Sequence, residues 1–308
     1  MAKKEDKDLM ESGAKVKLGT SDKIIRGFGY VFLTFYSVCC IIPFIIIVST
    51  SFTSESVIRA EGVQFLPKDI TLTAYDMVTK SGGIWWSYLV TILLTAVGTG
   101  VGLSIIAMTG YALQRKDFPF RNGISFFIYF TSLFQAGLAP YYLLMTQTYH
   151  LKDNYLAVLL PLLMSPWLII LMKNFVKSIP HEITESGKID GAGDMRIFVS
   201  LILPMLKPAL ATIGLFLALG YWNEWYQSSL FLSSRVAVKP LQFTLYEIVN
   251  KTDALKNSVA GQFINLADNP QESVKMANAV LATGPIVLLY PFVQKYFISG
   301  ITVGAVKG

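Results

Sequence analysis

Six apolar runs alternate with polar segments along the chain, at about residues 25–51, 86–113, 123–147, 155–173, 208–232 and 277–298. Each is near the ~20 residues an α-helix needs to cross the hydrocarbon core of a bilayer. In hydrocarbon every backbone N–H and C=O must be satisfied inside the segment, which a helix achieves and an open strand does not. The pattern predicts an all-α, polytopic membrane protein with six transmembrane helices. An even number of crossings places both termini on one side. Residues 1–22 stand apart: Lys3, Lys4, Lys7, Lys15 and Lys17 alternate with Glu5, Asp6, Asp8 and Glu11, without apolar periodicity. We read them as a flexible tail. They are not a signal peptide, because the first apolar run is too long and no small-residue cleavage site follows. Residues 23–308 form the membrane domain, its core about 85–298, with long polar loops at 52–85, 174–207 and 233–276.

Lys and Arg set the orientation. The short loop Gln114–Asn122, Q-R-K-D-F-P-F-R-N, is dense in bases and is the best single indicator of the cytoplasmic side. Bases on the other side are spread over the two long loops, where charge steers weakly. Both termini and the 174–207 loop are therefore expected on the cytoplasmic side of the cell membrane that holds the chain. Composition agrees: 53% of residues are hydrophobic and 15% charged, against about 25% charged in soluble domains. The net charge of +6 sits where a membrane protein places its bases, so it does not indicate nucleic acid. Cys39 and Cys40 are helix neighbours, cannot bridge, and read as small apolar core residues. Trp85, Trp86, Tyr88 and Trp167 read as anchors at the lipid–water interface. Gly98, Gly100, Gly102 and Gly110 mark a helix that neighbours can approach closely.

The 174–207 loop carries a fixed arithmetic: Glu185, then Gly191 six residues on, then Leu203-Pro204 at a spacing of E-x5-G-x12-P. Pro180 suits a first helical turn. Glu182 and Glu185 then lie near the positive helix end and share a face. Ser186 and Gly187 are small enough for a partner surface to come close. Asp190-Gly191-Ala192-Gly193-Asp194 reads as a turn, with Asp194 as N-cap of a second helix. Pro204 and Pro208 bracket the bend into the fifth run.

This segment resembles the EAA loop of bacterial ABC importer permeases, in which Glu-Ala-Ala precedes a Gly and an I-x-L-P ending. Here Glu185-Ser186-Gly187 stands in the triplet and Leu201-Ile202-Leu203-Pro204 in the ending. Three more stretches are similar to the maltose-transporter-type carbohydrate permeases, second-permease branch: Gly220-Tyr221-Trp222-Asn223-Glu224-Trp225, Pro240-Leu241-Gln242-Phe243 and the closing Ile301–Gly308. Ser186-Gly187 and P-L-Q-F resemble the subgroup importing complex oligosaccharides. The resemblance covers about 25–308. It implies the type I importer fold, a second homologous permease, an ABC ATPase dimer and an extracytoplasmic sugar-binding protein, besides membrane lipid. It implies ATPase docking through Glu182, Glu185, Ser186, Gly187, Asp190, Gly191, Ala192, Leu203 and Pro204. The chain itself then needs no cofactor, since ATP and Mg belong to the partner ATPase.

Two other constellations stay open. Trp222, Asn223, Glu224, Trp225 and Tyr226 offer aromatic faces and hydroxyl-reading groups suited to a sugar pathway; the same set reads equally as a polar cluster at a helix end. Phe134-Gln135-Ala136-Gly137, with Pro140 beyond, interrupts the third run and reads either as a cavity wall or as a packing kink. Catalytic and metal chemistry are not expected. His150 and His181 fall on opposite sides of the membrane, and no phosphate-cradling G-x4-G-K-S/T occurs. An ion-driven transporter would carry several mid-membrane ionisable groups, where this chain has essentially Glu224. A membrane enzyme would need a His, Asp or Glu cluster.

Overall fold

The computed structural model describes residues 20–80, 83–134, 136–256 and 271–305. Among them the chain is helical apart from turns and one isolated bridge, Thr53 with Ile70. The helices are α1 (Thr20–Ser51), α2 (Glu55–Glu61), α3 (Thr73–Lys80), α4 (Gly83–Gln114), α5 (Arg121–Leu133), α6 (Leu138–Leu143), α7 (Leu156–Leu163), α8 (Pro166–Lys177), α9 (His181–Ile189), α10 (Asp194–Ile197), α11 (Lys207–Trp222), α12 (Tyr226–Phe231), α13 (Leu241–Lys256) and α14 (Glu272–Ala305). Single π-turns extend α6 over Leu144–Thr148 and α10 over Phe198–Ile202.

Among the described residues three helical stretches are long and apolar enough to cross a membrane: Lys23–Ser51, Gly83–Gln114 and Leu156–Lys177. Two bent pairs bring the number to as many as five. The sixth run falls inside α14. The pairs are α5 with α6, turned by 113°, and Asp194–Met205 with Lys207–Phe231, turned by 83°. The fourth run is one span made of two helices, α7 and α8, because Pro166 opens the second at Ser165. The break in the third run falls where the sequence placed it: α5 ends at Leu133, Phe134 is extended, and Gly137 has φ +91°. Gln135 lies outside the described residues. The fifth run is not the continuous helix that its apolar content predicts. It stops at Trp222 and restarts at Tyr226.

α4 is the central helix, flanked by α7–α8 and α11. Its glycines set the distances. A Cβ on Gly98 would lie 2.3 Å from the Tyr221 ring, and one on Gly110 would lie 2.6 Å from Met172 Cγ. No real side chain fits at those separations, so α11 and α8 approach α4 only because these positions are bare. Gly100 faces open space instead. Dispersion and packing drive helix association in lipid, and here they act on Ile106, Ile169, Met172, Ile213 and Leu217, all buried in one cluster.

α1 contrasts with this: its apolar side chains from Ile24 to Val48 are largely exposed, and its main packing is against α14. Cys39 and Cys40 lie on that exposed surface rather than in a core, because in lipid an apolar face needs no protein cover. Trp85 and Trp86 open α4, but Trp167 sits near the middle of the Leu156–Lys177 span, edge-on to Phe216 at 5.2 Å, and not at an interface. The run length alone did not show that the fourth span continues to Lys177.

The polar ends are tied by long-range hydrogen bonds. Glu55 is buried, takes Nε and Nη2 of Arg59 at 3.1 Å, and accepts the backbone N–H groups of Glu272 and Ser273 that open α14. A helix N-terminus with unsatisfied N–H groups favours such a carboxylate. Burial pushes the Glu55 pKa up, but the Ser273 and Glu272 amides and Arg59 outweigh it, and the net shift is downward. Leu241 N–H donates to Thr91 Oγ1 at 2.8 Å, Tyr155 Oη to Val238 O at 2.5 Å, and Ser233 N–H to Asp153 at 2.6 Å. These bonds seat α13 over the ends of α4 and α7.

Two predictions follow from these contacts. Gly98→Val should lower the thermal midpoint of the purified chain in detergent, by an overpacking cost of about 1–3 kcal/mol, while Gly100→Ala leaves it unchanged; equal midpoints would show that α11 does not rest on Gly98. Glu55→Ala should cost about 1–3 kcal/mol by leaving Arg59 and two amides without their acceptor. Because the Glu55 pKa is lowered on folding, its contribution is complete above the ordinary carboxylate range. It is lost as pH falls through the lowered folded value, so wild type and Glu55→Ala should converge in stability under strongly acid conditions.

Candidate functional site: a helix projecting from the span ends

The Glu185 segment forms a short helix on the end of the bundle. Pro180 takes the N-cap position, at φ −57° and ψ 136°, one residue before the helix and not inside its first turn. α9 then presents His181, Glu182, Glu185, Ser186 and Ile189 outward. His181 Nδ1 and Glu185 Oε1 lie 2.9 Å apart, one turn apart on the same face. Ile189 is 85% exposed. Met195 is exposed nearby.

The turn after α9 closes as a Schellman motif. Ala192 N–H donates to Gly187 O at 2.9 Å and Gly191 N–H to Lys188 O at 3.0 Å. Gly191 has φ +74°, a conformation in which any Cβ is strained. Asp190 is the exposed C-cap. Gly187 is the one buried residue of α9: a Cβ there would stand 3.1 Å from both Ile197 Cγ1 and Leu201 Cδ1. Gly187 therefore lets α9 lie flat on α10 and its π-turn. Ile197, Phe198 and Ile202 in turn belong to the same buried cluster as Ile106, Met172 and Ile213 of the spans. The projecting helix and the membrane core are one packed unit.

Asp194 is not the N-cap that the sequence suggested. Gly193 caps α10, with Ile197 N–H bonded to its carbonyl at 3.0 Å. Asp194 is instead the first helical residue and reaches Arg115 Nη1 at 2.7 Å. Arg115 also holds Asp117 through Nε at 2.8 Å and Nη2 at 2.5 Å, and Lys188 Nζ lies 2.6 Å from Asp117. The base-dense loop that marked orientation thus clamps α9 and α10 to the end of α4. Hydrogen bonds from Arg115 and then Lys188 hold the Asp117 carboxyl well below the usual carboxylate range, and Asp117 and Asp194 raise Arg115. Arg115 and Asp117 are therefore both charged at neutral pH.

Leu203 and Pro204 stand at the bend into α11, Leu203 packed on the core and Pro204 exposed. A proline removes one helical N–H and crowds the carbonyl four residues back. The π-turn over Phe198–Ile202, with Leu203 N–H bonded to Phe198 O, provides the local widening.

At the other end of α11, the structure divides the Trp222–Tyr226 set. Trp222 is buried, its indole N–H bonded to Ala282 O at 3.2 Å. Glu224 is 7% exposed. Its carboxylate accepts Gln227 N–H, Ser228 N–H and, at 2.6 Å, Ser228 Oγ. It faces the start of α12 and not an open surface; this side-chain bonding offers the backbone an alternative to continued helix. Asn223, Trp225 and Tyr226 remain exposed. Trp225 stacks on Tyr246 of α13 at 4.6 Å, and Gln242 Nε2 lies 3.4 Å from Asn223 Oδ1. Tyr246 and Gln242 were not singled out from sequence as partners of this segment, because Tyr246 stands 21 positions after Trp225. Phe134 is exposed and stacks on Phe130 at 4.4 Å. The halves beyond the two breaks do meet: Tyr141 Oη donates to Gln227 Oε1 at 2.8 Å and its ring meets Phe231. Among the described residues no cluster of three or more His, Cys, Asp or Glu could hold a metal.

Arg115→Ala should release both Asp117 and Asp194. Amide hydrogen exchange over 181–197 should rise at least several-fold while the spans stay protected. Arg115→Lys should recover part of the effect, lacking the guanidinium fork. Unchanged exchange in Arg115→Ala would mean that packing through Gly187 alone fixes α9.

Residues 14–303 match the family model described as binding-protein-dependent transport system inner membrane component. The Bacillus subtilis polygalacturonan/rhamnogalacturonan transport system permease protein YtcP is 34% identical, over 91% of this chain and 96% of its own. Protein LplC of the same organism is 35% identical, over 87% and 90%. A chain from the crystal structure of a bacterial ABC transporter involved in the import of the acidic polysaccharide alginate superposes with a TM-score of 0.78. It is 33% identical, with 91% of this chain and 98% of that chain covered. The chain belongs to the family of binding-protein-dependent transport system inner membrane components, and is a multi-pass permease of the ABC importer type.

Proposed function

We propose that this permease translocates an oligosaccharide handed over by an extracytoplasmic binding protein, and that α9 is where a separate ATPase dimer pushes. The observation that carries the reading is the seating of α9. Its outward face offers Glu182, Glu185, Ser186 and the exposed Ile189, while its inward face shares one buried cluster with the spans. A load applied to α9 therefore moves α10, α4, α8 and α11 as a body, the kind of rigid rearrangement between two packings that alternating access uses. The turn residues Asp190, Gly191 and Ala192 fix the angle of α9, and Leu203 and Pro204 its connection to α11. On this reading α9 and both termini are cytoplasmic, as the bases of Gln114–Asn122 indicate. A second, related permease completes the pathway, and the partner ATPase binds ATP and Mg.

Carbohydrate is supported by the named relatives, which carry polygalacturonan, rhamnogalacturonan and alginate in their descriptions. It is also supported by the exposed Trp225–Tyr246 stack with Asn223 and Gln242 beside it. Aromatic faces suit sugar C–H surfaces and amides suit hydroxyls. Trp225, Tyr226 and Asn223 are the pathway residues; Trp222 and Glu224 position them, from the core and from the start of α12. Phe134 and Gln135, at the break in the third run, are proposed for the same pathway.

The test is reconstitution in proteoliposomes with the partner permease, ATPase and binding protein. Glu185→Ala combined with Ile189→Ser should leave the chain's thermal midpoint unchanged and reduce sugar uptake and ATPase retention about tenfold or more. Trp225→Ala should keep ATPase retention and lower uptake. Wild-type assembly and uptake in the first variant would remove α9 as the docking element; wild-type uptake in the second would remove Trp225 from the pathway.

A further inference from the structure

α14 packs against α1, α3, α11 and α13, and no residue from Gln271 to Ile286 is exposed. Pro285 stands inside this helix. A proline has no N–H, so the carbonyl four residues back, that of Leu281, loses its helical donor, and the ring crowds it outward. In a membrane helix a freed carbonyl needs another donor from a neighbour. α4 supplies it: Tyr88 Oη donates to Leu281 O. Tyr88, expected at the lipid–water interface, thus turns its hydroxyl inward. α11 reaches the next carbonyl, where the Trp222 indole N–H donates to Ala282 O at 3.2 Å.

The residues around the proline weaken α14 further. Thr283 Oγ1 donates back to Ala279 O at 2.6 Å, a bond that tends to bend a helix. A Cβ on Gly284 would meet nothing within 4 Å, so packing inside this chain does not require a glycine there, and glycine in a helix interior lowers its stability. Tyr88, Leu281, Ala282 and Trp222 belong to one apolar cluster. The weak segment Thr283–Pro285 is therefore held by α4 and α11 through Leu281 and Ala282. The same two helices carry part of the buried cluster beneath α9, through Ile106 on α4 and Ile213 and Leu217 on α11.

We propose that Thr283–Pro285 is a joint in α14, and that Tyr88 is the positioning residue that makes α14 follow α4 when the spans rearrange. The Tyr88 hydroxyl replaces the hydrogen bond that Pro285 cannot donate. The turns before the joint are tied to α4 and α11 and move with them, while the turns after it bend. A displacement of α4 thereby becomes a change of angle between the two halves of α14. The replaced bond stands on the geometry of this chain; the bending rests on the reading that a partner ATPase drives the bundle.

The assembled importer in nanodiscs tests both parts. Tyr88→Phe deletes the donor and keeps the ring, and should raise amide hydrogen exchange over 281–289 about tenfold. Pro285→Ala restores the amide that bonds Leu281 O, and in that background Tyr88→Phe should change exchange by less than about twofold. Independent effects of the two substitutions would mean that Tyr88 does not stand in for the missing bond, and would overturn the proposal. For the bending, spin labels are placed at Met108 of α4 and Leu288 of α14, both exposed, with Cys39 and Cys40 changed to Ser. Pulsed electron paramagnetic resonance should give different distances in the nucleotide-free importer and in the importer trapped with ATP and vanadate. Pro285→Ala should make the two distances coincide, and Tyr88→Phe should broaden both distributions. A wild-type distance that trapping leaves unchanged, or a change that Pro285→Ala preserves, overturns the joint. Trapped ADP is measured in parallel: trapping without a distance change removes the joint alone, and absence of trapping removes the ATPase reading with it.

Discussion

The close approach of α4 to its neighbours is the constraint on which the rest depends. In hydrocarbon there is no water to expel, so helices gain only what their surfaces touch. Gly98 admits the Tyr221 ring, Gly102 lies 3.1 Å by its Cβ position from Leu163 O, and Gly110 admits Met172. These three contacts draw α11, α7 and α8 onto one helix. They also bring the ends of those helices close enough for the Arg115 clamp and for the packing of Ile197, Phe198 and Ile202 under α9. Without that convergence α9 would be a polar loop on a tether and not part of the packed bundle.

Polar groups do a different task at each end. At the end away from α9, single side chains reach across more than a hundred residues to satisfy helix starts: Glu55 at α14, Thr91 at α13. At the α9 end, charges form a shared network in which Arg115 serves two carboxylates and Asp117 two bases. Exposed ion pairs add little one at a time, but a bidentate arginine joined to two loops adds geometry. The long-range ties fix where helices begin, and the charged network fixes the angle at which α9 leaves the bundle.

Much was legible in the residues. Apolar run length marked the spans, the bases of Gln114–Asn122 marked a side, and the spacing from Glu185 through Gly191 to Pro204 marked a helix, a glycine turn and a bend. Local chemistry governs each of these. Gly191 must accept a positive φ wherever this turn occurs, and a break at Phe134–Pro140 follows from Gly137 and Pro140 whatever packs nearby. Membership of the importer family followed from the same residues.

What only the tertiary structure decided involves partners distant in sequence. The fifth run breaks at Asn223 because the Glu224 carboxylate binds the start of α12, where hydropathy alone reads one continuous helix. Asp194 looked like a cap, but Arg115, 79 residues earlier, draws it away. Trp222 joins the core through Ala282 while its neighbour Trp225 turns out to stack on Tyr246, a division that no local pattern encodes. Run lengths and turns are properties of a segment and its solvent, and the chain by itself determined them. Which face of a segment is buried, and which charge answers which, depends on the geometry of the folded whole, because those free energies belong to pairs of residues and not to any one stretch.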